Sequence, residues 1–158
     1  LYNRLRMNEE LAHAWGLSVR HGHAMGVLLM DLDHLKTIND TYGHAAGDDV
    51  LCEFADIIAD AARASDTVAR YGGDEFVIIL PHLGSSGAPA LAERILKAVR
   101  SHTFCEESLK LSASTTIGVA TSSPEHPAES GEDLIRRADE ALYAAKRAGR
   151  DQIQIWGS

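Results

Sequence analysis

The sequence is short of several things, and each shortage excludes something. It has only two cysteines, Cys52 and Cys105, far apart along the chain. A pair of that kind makes no disulfide framework, and reduced thiols are the reading. No apolar run approaches the roughly 20 residues that cross a bilayer, and no signal peptide opens the chain. Cations are in deficit: 15 Lys and Arg stand against 23 Asp and Glu, a formal charge of −8. That excludes a basic footprint, so neither DNA nor RNA is the expected partner. It does not exclude a nucleotide, whose phosphates need only a few local cations and a metal ion. Internal repeats and long linkers are missing too.

What is there is ordinary globular material: 158 residues, 45% hydrophobic and 24% charged, enough for one domain with a real core. The opening Leu1-Tyr2-Asn3-Arg4 already reads as the edge of a helix. Residues 1–158 are therefore expected to be one domain excised from a longer protein. Any sensor, membrane anchor or second domain would lie outside it.

Periodicity predicts a helix from Asn3 to about Arg20, stopped near Gly22, and a strand over Gly26–Asp31 buried on both faces. Val50, Leu51, Phe54, Ile57, Ile58 and Ala61 mark a long helix over Ala45–Arg63. Thr67–Tyr71 and Glu75–Leu80 read as strands, joined through Gly72-Gly73 in a tight turn with both glycines at positive φ. A helix through Leu91–Val99 follows. Strict alternation from Leu109 to Val119 then predicts a strand with one buried face. A helix through Leu134–Ala145, stopped by Gly149, and a strand over Gln152–Trp156 complete the chain. Pro81–Pro89 and Thr121–Gly131 read as surface loops. One central sheet with helices packed on it is the expected architecture, in the α+β class.

Three patterns carry chemistry. Asp31-Leu32-Asp33 ends a buried strand in carboxylates, well placed for a hard cation or, equally, mere strand-end punctuation. Arg70-Tyr71-Gly72-Gly73-Asp74-Glu75-Phe76 sets two adjacent acids after two glycines. Adjacent carboxylates repel unless a cation sits between them or one is protonated, and glycines let a ligand approach the backbone. A hairpin tip protected by charge is the plainer alternative. The third runs from Lys36 through Asn39-Asp40, Gly43-His44 and Gly47-Asp48. Asn and Asp side chains match the donors and acceptors of a guanine edge, while Asp48 also reads as a first-turn acid and Asn39-Asp40 as a turn.

These patterns, with Ala138-Asp139-Glu140-Ala141-Leu142-Tyr143-Ala144-Ala145-Lys146-Arg147-Ala148-Gly149-Arg150, resemble the signatures of the GGDEF family of diguanylate cyclases. The resemblance spans essentially the whole chain, with four motifs in order. One departure is Leu35, where the family usually has Phe. The resemblance implies a central, mostly antiparallel five-stranded sheet flanked by helices, similar to the palm of nucleotidyl cyclases and polymerases. It implies two GTP condensed into cyclic di-GMP in the cytoplasm by a homodimer, the whole protein being membrane-anchored where a further region anchors it. Asp31, Asp74 and the Leu32 carbonyl would bind Mg2+ or Mn2+. Asp74 would also be the base, and Glu75 would support the metal region. Gly72 and Gly73 would lie against the triphosphate. Asn39 and Asp48 would read guanine with His44 nearby, and Lys36, Lys146 and Arg150 would hold phosphates. Arg63 and Asp66 match a product-binding RxxD site, with Arg94 reaching the same ligand. For Arg63 a helix-capping role stays open, and for Asp66 a turn. Other readings also remain: an inactive module binding GTP or cyclic di-GMP, a hybrid cyclase, or solvated surface acids on a structural protein.

Overall fold

The computed structural model describes residues 1–83 and 87–158. The chain order is α1 (Arg4–His21), β1 (Met25–Leu32), α2 (Leu35–Tyr42), α3 (His44–Ala61), β2 (Thr67–Arg70), β3 (Glu75–Leu80), α4 (Gly87–Ser101), β4 (Thr115–Ser122), α5 (Gly131–Arg147) and β5 (Ile153–Ile155). The strands form one five-stranded sheet in the order β2-β3-β1-β4-β5. Every pairing is antiparallel except β4 with β5, which is parallel. The α+β, mostly antiparallel expectation holds.

Apolar side chains alternate across the sheet and feed two cores. Leu28, Met30 and Leu32 face α3 and α4 with Phe76, Ile78, Val50, Phe54 and Ile95. Val27 and Leu29 face the other way with Val77, Ile79, Met7, Leu11, Leu134 and Leu142. β1 lies in the middle of the sheet between these layers, so all eight of its residues are buried. That is the reason its sequence shows a continuous apolar run.

The first helix stops at Gly22 as expected, and it starts at Arg4 with Asn3 as its cap. The Asn3 side chain accepts from the Arg6 N–H, and Gly22 ends the helix at φ 64. Gly149, at φ 124, turns the chain after α5.

Several expectations are corrected. The strand expected from Leu109 begins only at Thr115 and is buried on both faces, because α4 and α5 pack on its opposite sides. Leu111 and Ala113 are loop residues tucked against the core, and Leu109 is exposed. The first core explains their alternation without a strand. The Gly72-Gly73 turn uses no positive φ at either glycine. The turn is closed instead by the Tyr71 and Gly72 N–H groups donating to the Glu75 carbonyl, at 2.8 and 3.3 Å. α2 was not expected as a helix, since it buries no residue and so shows no apolar stripe. Helix α3 starts at His44, which puts Asp48 in its second turn and removes the first-turn explanation. The expected loop Pro81–Pro89 gives way to α4 at Gly87, with residues 84–86 outside the described residues, and Thr121–Gly131 begins inside β4.

Candidate active site

The expected acids converge at one end of the sheet. Asp31, near the end of β1, pairs directly with Glu75 at the start of β3. Asp74 is the preceding turn residue, close enough for its charge to act on both. Leu32 pairs with Thr115 of β4 and lies beyond the last pairing with β3. Asp31 is only 5% exposed, and its Oδ1 is buried with no hydrogen-bond partner. Its Oδ2 meets Lys146 Nζ from α5. Burial pushes the Asp31 carboxyl above its ordinary pKa, with Asp74 and Asp33 adding to the rise and Lys146 opposing it. Burial likewise raises Glu75, helped by Asp31, Asp139 and Asp74 and again opposed by Lys146.

Asp33 sits two residues on and does something different. Its Oδ2 accepts from Ser114 Oγ at 2.7 Å and the Asp151 N–H at 3.0 Å, and its Oδ1 accepts from Thr116 Oγ1 at 2.6 Å. That carboxylate ties the end of β1 to β4 and to the approach of β5. Its oxygens are already engaged, whereas Asp31 keeps one buried oxygen without a partner.

That partnerless oxygen is the main test of whether a cation fits. Asp31 faces Glu75, which Asp74 precedes in the turn, so this end of the sheet offers carboxylate oxygens of the kind a hard divalent ion takes, while Lys146 occupies the other Asp31 oxygen. Among the described residues no group of three or more His, Cys, Asp or Glu side chains is assembled to hold a metal ion by itself. These carboxylates would give a bound ion only part of its shell, the rest being left to water or other ligands.

The glycine turn borders these acids. A Cβ on Gly73 would meet nothing within 4 Å, and one on Gly72 only Glu75, at 3.8 Å. With no positive φ either, neither fold nor packing demands glycine here. The demand fits something that approaches from outside. On the α5 side a cavity of about 390 Å³ is lined by Glu75, Asp139, Glu140, Leu142, Tyr143 and Lys146.

A second group forms where α2 meets α3. Asn39 Oδ1 is buried without a partner and lies against Gly47. Asp48 is the next residue, exposed on α3, and Lys36 and His44 are exposed on the same helix pair. Arg150, at φ 65 beyond α5, brings Nη1 to 4.0 Å from Asp33 Oδ1. Lys146, expected on phosphate, is paired with Asp31 here.

A third group lies where α3 ends. The Arg63 backbone N–H donates to Asp66 Oδ2 at 2.8 Å, and its Nη2 donates to Asp66 Oδ1 at 3.1 Å and to the His82 carbonyl at 3.0 Å. The helix-end carbonyl, that of Ala61, is met by Arg94 Nη2 at 2.9 Å. The cation capping α3 is therefore Arg94, and Arg63 is instead locked onto a turn carboxylate.

Sequence reasoning missed Asp139, although its spacing of seven from Lys146 on one helix was a usable signal. It also missed Arg4, Arg70 and Tyr71, which brace the glycine turn.

The mixed five-stranded sheet, with its acids at a β1–β3 end and a glycine turn beside them, defines an α+β domain of the nucleotidyl cyclase palm type. Residues 1–152 match the family model described as diguanylate cyclase, GGDEF domain. The chain belongs to the GGDEF family. It is 44% identical over 131 residues to diguanylate cyclase A of Treponema denticola, covering 83% of this chain and 35% of that protein. It is 38% identical over 153 residues to the response regulator PleD of Caulobacter vibrioides, covering 97% of this chain and 34% of that one. The GGDEF domain of DgcB from Caulobacter crescentus, solved in complex with c-di-GMP, superimposes with a TM-score of 0.91 at 34% identity, covering 100% of this chain and 90% of that one. The chain spans about a third of the length of the curated relatives it matches. Among the described residues no helix is long and apolar enough to cross a membrane.

Proposed function

We propose that this domain is a diguanylate cyclase acting within a longer protein, joining two GTP into cyclic di-GMP with release of two pyrophosphates. The observation that carries this is the buried, partnerless oxygen of Asp31 beside a glycine turn that nothing in the protein itself requires.

In each of two equivalent steps the 3′-hydroxyl oxygen of one GTP bonds to the α-phosphorus of the other. The α–β phosphoanhydride bond breaks, pyrophosphate leaves, and Asp74 takes the hydroxyl proton. Mg2+ or Mn2+ held by Asp31, Asp74 and the Leu32 carbonyl, with Glu75 facing Asp31, would neutralise phosphate charge in the in-line displacement. Gly72 and Gly73 leave a path for the triphosphate along the turn. Lys36, Lys146 and Arg150 supply cations for it, Lys146 by leaving Asp31. Asn39 and Asp48 receive the guanine edge, with His44 beside them. One domain presents one such set, so two domains must face each other, as a homodimer. Free thiols and a GTP substrate suit the cytoplasm.

Incubation with GTP and Mg2+ over a protein dilution series, with product identified by mass, tests this. Cyclic di-GMP at a specific activity that rises with protein concentration is the expected result. Nucleotide binding without turnover would make the domain an inactive module.

Gly47 offers a test of the base-reading end. A Cβ there would stand 1.7 Å from Asn39 Oδ1, so alanine must push that side chain aside. Gly47→Ala is expected to raise KM for GTP by about tenfold while kcat changes less, since binding lost equally from ground and transition states appears in KM. Initial rates against GTP concentration check it.

Arg63, Asp66 and Arg94 make a product site away from the acids, where cyclic di-GMP restrains the domains. A guanidinium forks onto phosphate or a guanine Hoogsteen edge. The Asp66 side chain is fully enclosed against Arg63, so its first role is to hold that guanidinium in place. Arg63→Ala should raise the product concentration for half-inhibition by about tenfold or more, the scale of one lost charge-assisted contact. A product titration reads this.

A further inference from the structure

The turn carrying Gly72, Gly73 and Asp74 is braced from two sides, and one brace comes from the far end of the chain. Residues 1–3 run along the edge strand β2. Tyr2 bridges Ala69 in parallel, its N–H donates to the Val68 carbonyl at 3.1 Å, and its carbonyl accepts from the Arg70 N–H at 3.0 Å. The chain then enters α1, whose first residue, Arg4, reaches across to Tyr71.

Arg4 holds Tyr71 in three ways. Its guanidinium carbon lies 4.2 Å from the ring centroid. Its Nη1 donates to the Tyr71 carbonyl at 3.4 Å, and its Nη2 donates to the phenol oxygen at 3.3 Å. The two hydrogen bonds are long and individually weak. Their value lies in one planar group gripping the ring face, the main chain and the hydroxyl of a single residue. Lysine, a point charge on a flexible stem, cannot do this. Tyr71 adjoins Gly72, and its own N–H closes the turn on the Glu75 carbonyl. From inside, Arg70 Nε donates to the Gly73 carbonyl at 3.0 Å.

Nothing local to α1 explains Arg4. A cation in the first turn of a helix is opposed by the helix dipole. Arg6, two residues on, is the one that pairs with Glu9 and Glu10. Among the described residues no carboxylate lies within 4 Å of the Arg4 guanidinium.

We propose that Arg4 is a positioning residue for the reaction. Through Tyr71 it fixes the backbone of the glycine turn, and so the place of the phosphate path and of Asp74 relative to Asp31. This rests on the reading that the turn receives GTP. It also makes residues 1–4 a direct mechanical input to the turn.

The test compares Arg4→Ala, Arg4→Lys and Tyr71→Phe by hydrogen exchange, melting temperature, KM and kcat. In Arg4→Ala the Tyr71 and Gly72 amides should exchange about tenfold faster, with the β1 and β3 amides unchanged, as expected of a local opening. KM for GTP should rise by about tenfold, more than kcat falls. Lysine should restore neither. Tyr71→Phe, which keeps the ring and carbonyl, should stay within about threefold of the parent in KM, since it loses one weak contact. Parent-like turn exchange and KM in Arg4→Ala would overturn the proposal. So would full rescue by lysine, or faster exchange throughout the sheet with a lowered melting temperature. If Arg4→Ala does not fold, Tyr71→Leu removes the same grip and is held to the same outcomes. Exchange needs no turnover. A loosened turn in a protein that never makes cyclic di-GMP would uphold the brace and refute the cyclase reading.

Discussion

Asp31→Asn is expected to lower cyclisation by about a thousandfold or more, because a lost metal ligand removes several kcal/mol of charge stabilisation. The same change should raise the melting temperature of the metal-free protein. The Asp31 carboxyl has its pKa raised chiefly by burial. A group with a higher pKa folded than unfolded adds stability below its unfolded pKa, and that contribution is lost as pH rises through the folded value. At neutral pH an ionised Asp31 is therefore a net cost to folding, and Glu75 has the same sign. Asparagine keeps the shape and drops the charge. A gain on the order of 1 kcal/mol would appear as about 2–4 °C in a domain of this size. Mg2+ should raise the melting temperature of the parent and not of the variant. Near-parent turnover would remove Asp31 from the metal site. A melting temperature below the parent's would mean that the Lys146 pairing outweighs the cost of burial.

Gly118→Ala should have the largest effect on the fold. A Cβ at Gly118 would stand 2.2 Å from the Ala138 carbonyl oxygen, 2.4 Å from the Leu142 nitrogen and 2.9 Å from its Cα. All three are backbone atoms of α5, so no side chain can turn away. The whole helix has to lift from β4. A loss on the order of 3 kcal/mol or more is expected, about 6–12 °C in melting temperature. Activity should fall further than stability alone requires, because α5 carries Lys146 and Asp139 to the cleft. Thermal melts followed by circular dichroism decide it, and a parent-like melt would show that α5 does not sit this close.

How legible each part was depended on whether its cause was local. The Gly26–Asp31 run was readable because a central strand buried on both faces has one composition throughout. The alternation through Leu109–Ala113 misled because a loop packed against a core can mimic a strand. α2 left no signal, since a helix that buries nothing has no face to declare. At the site, Asp31, Asp74 and Glu75 stood out as acids at the ends of apolar runs. That Asp31 faces Glu75, or that Asp33 is engaged by Ser114 and Thr116, depends on strand pairing across 44 or more positions of sequence. The contact of Gly47 with Asn39 and the reach of Arg4 to Tyr71 are tertiary in the same sense, and no periodicity encodes them.

The two ends of the site are built on ground of unequal strength. Asp31 stands at the end of β1, a strand paired on both sides and buried along its whole length, with Glu75 opposite it on β3, and that pairing opens only when the molecule does. Asn39 stands on an eight-residue helix with no buried residue, among the first parts to fray under heat or denaturant. If Asn39 reads guanine as proposed, mild stress should loosen the base-reading end while Asp31 and Glu75 still face each other, so discrimination among nucleotides is expected to fail before turnover does.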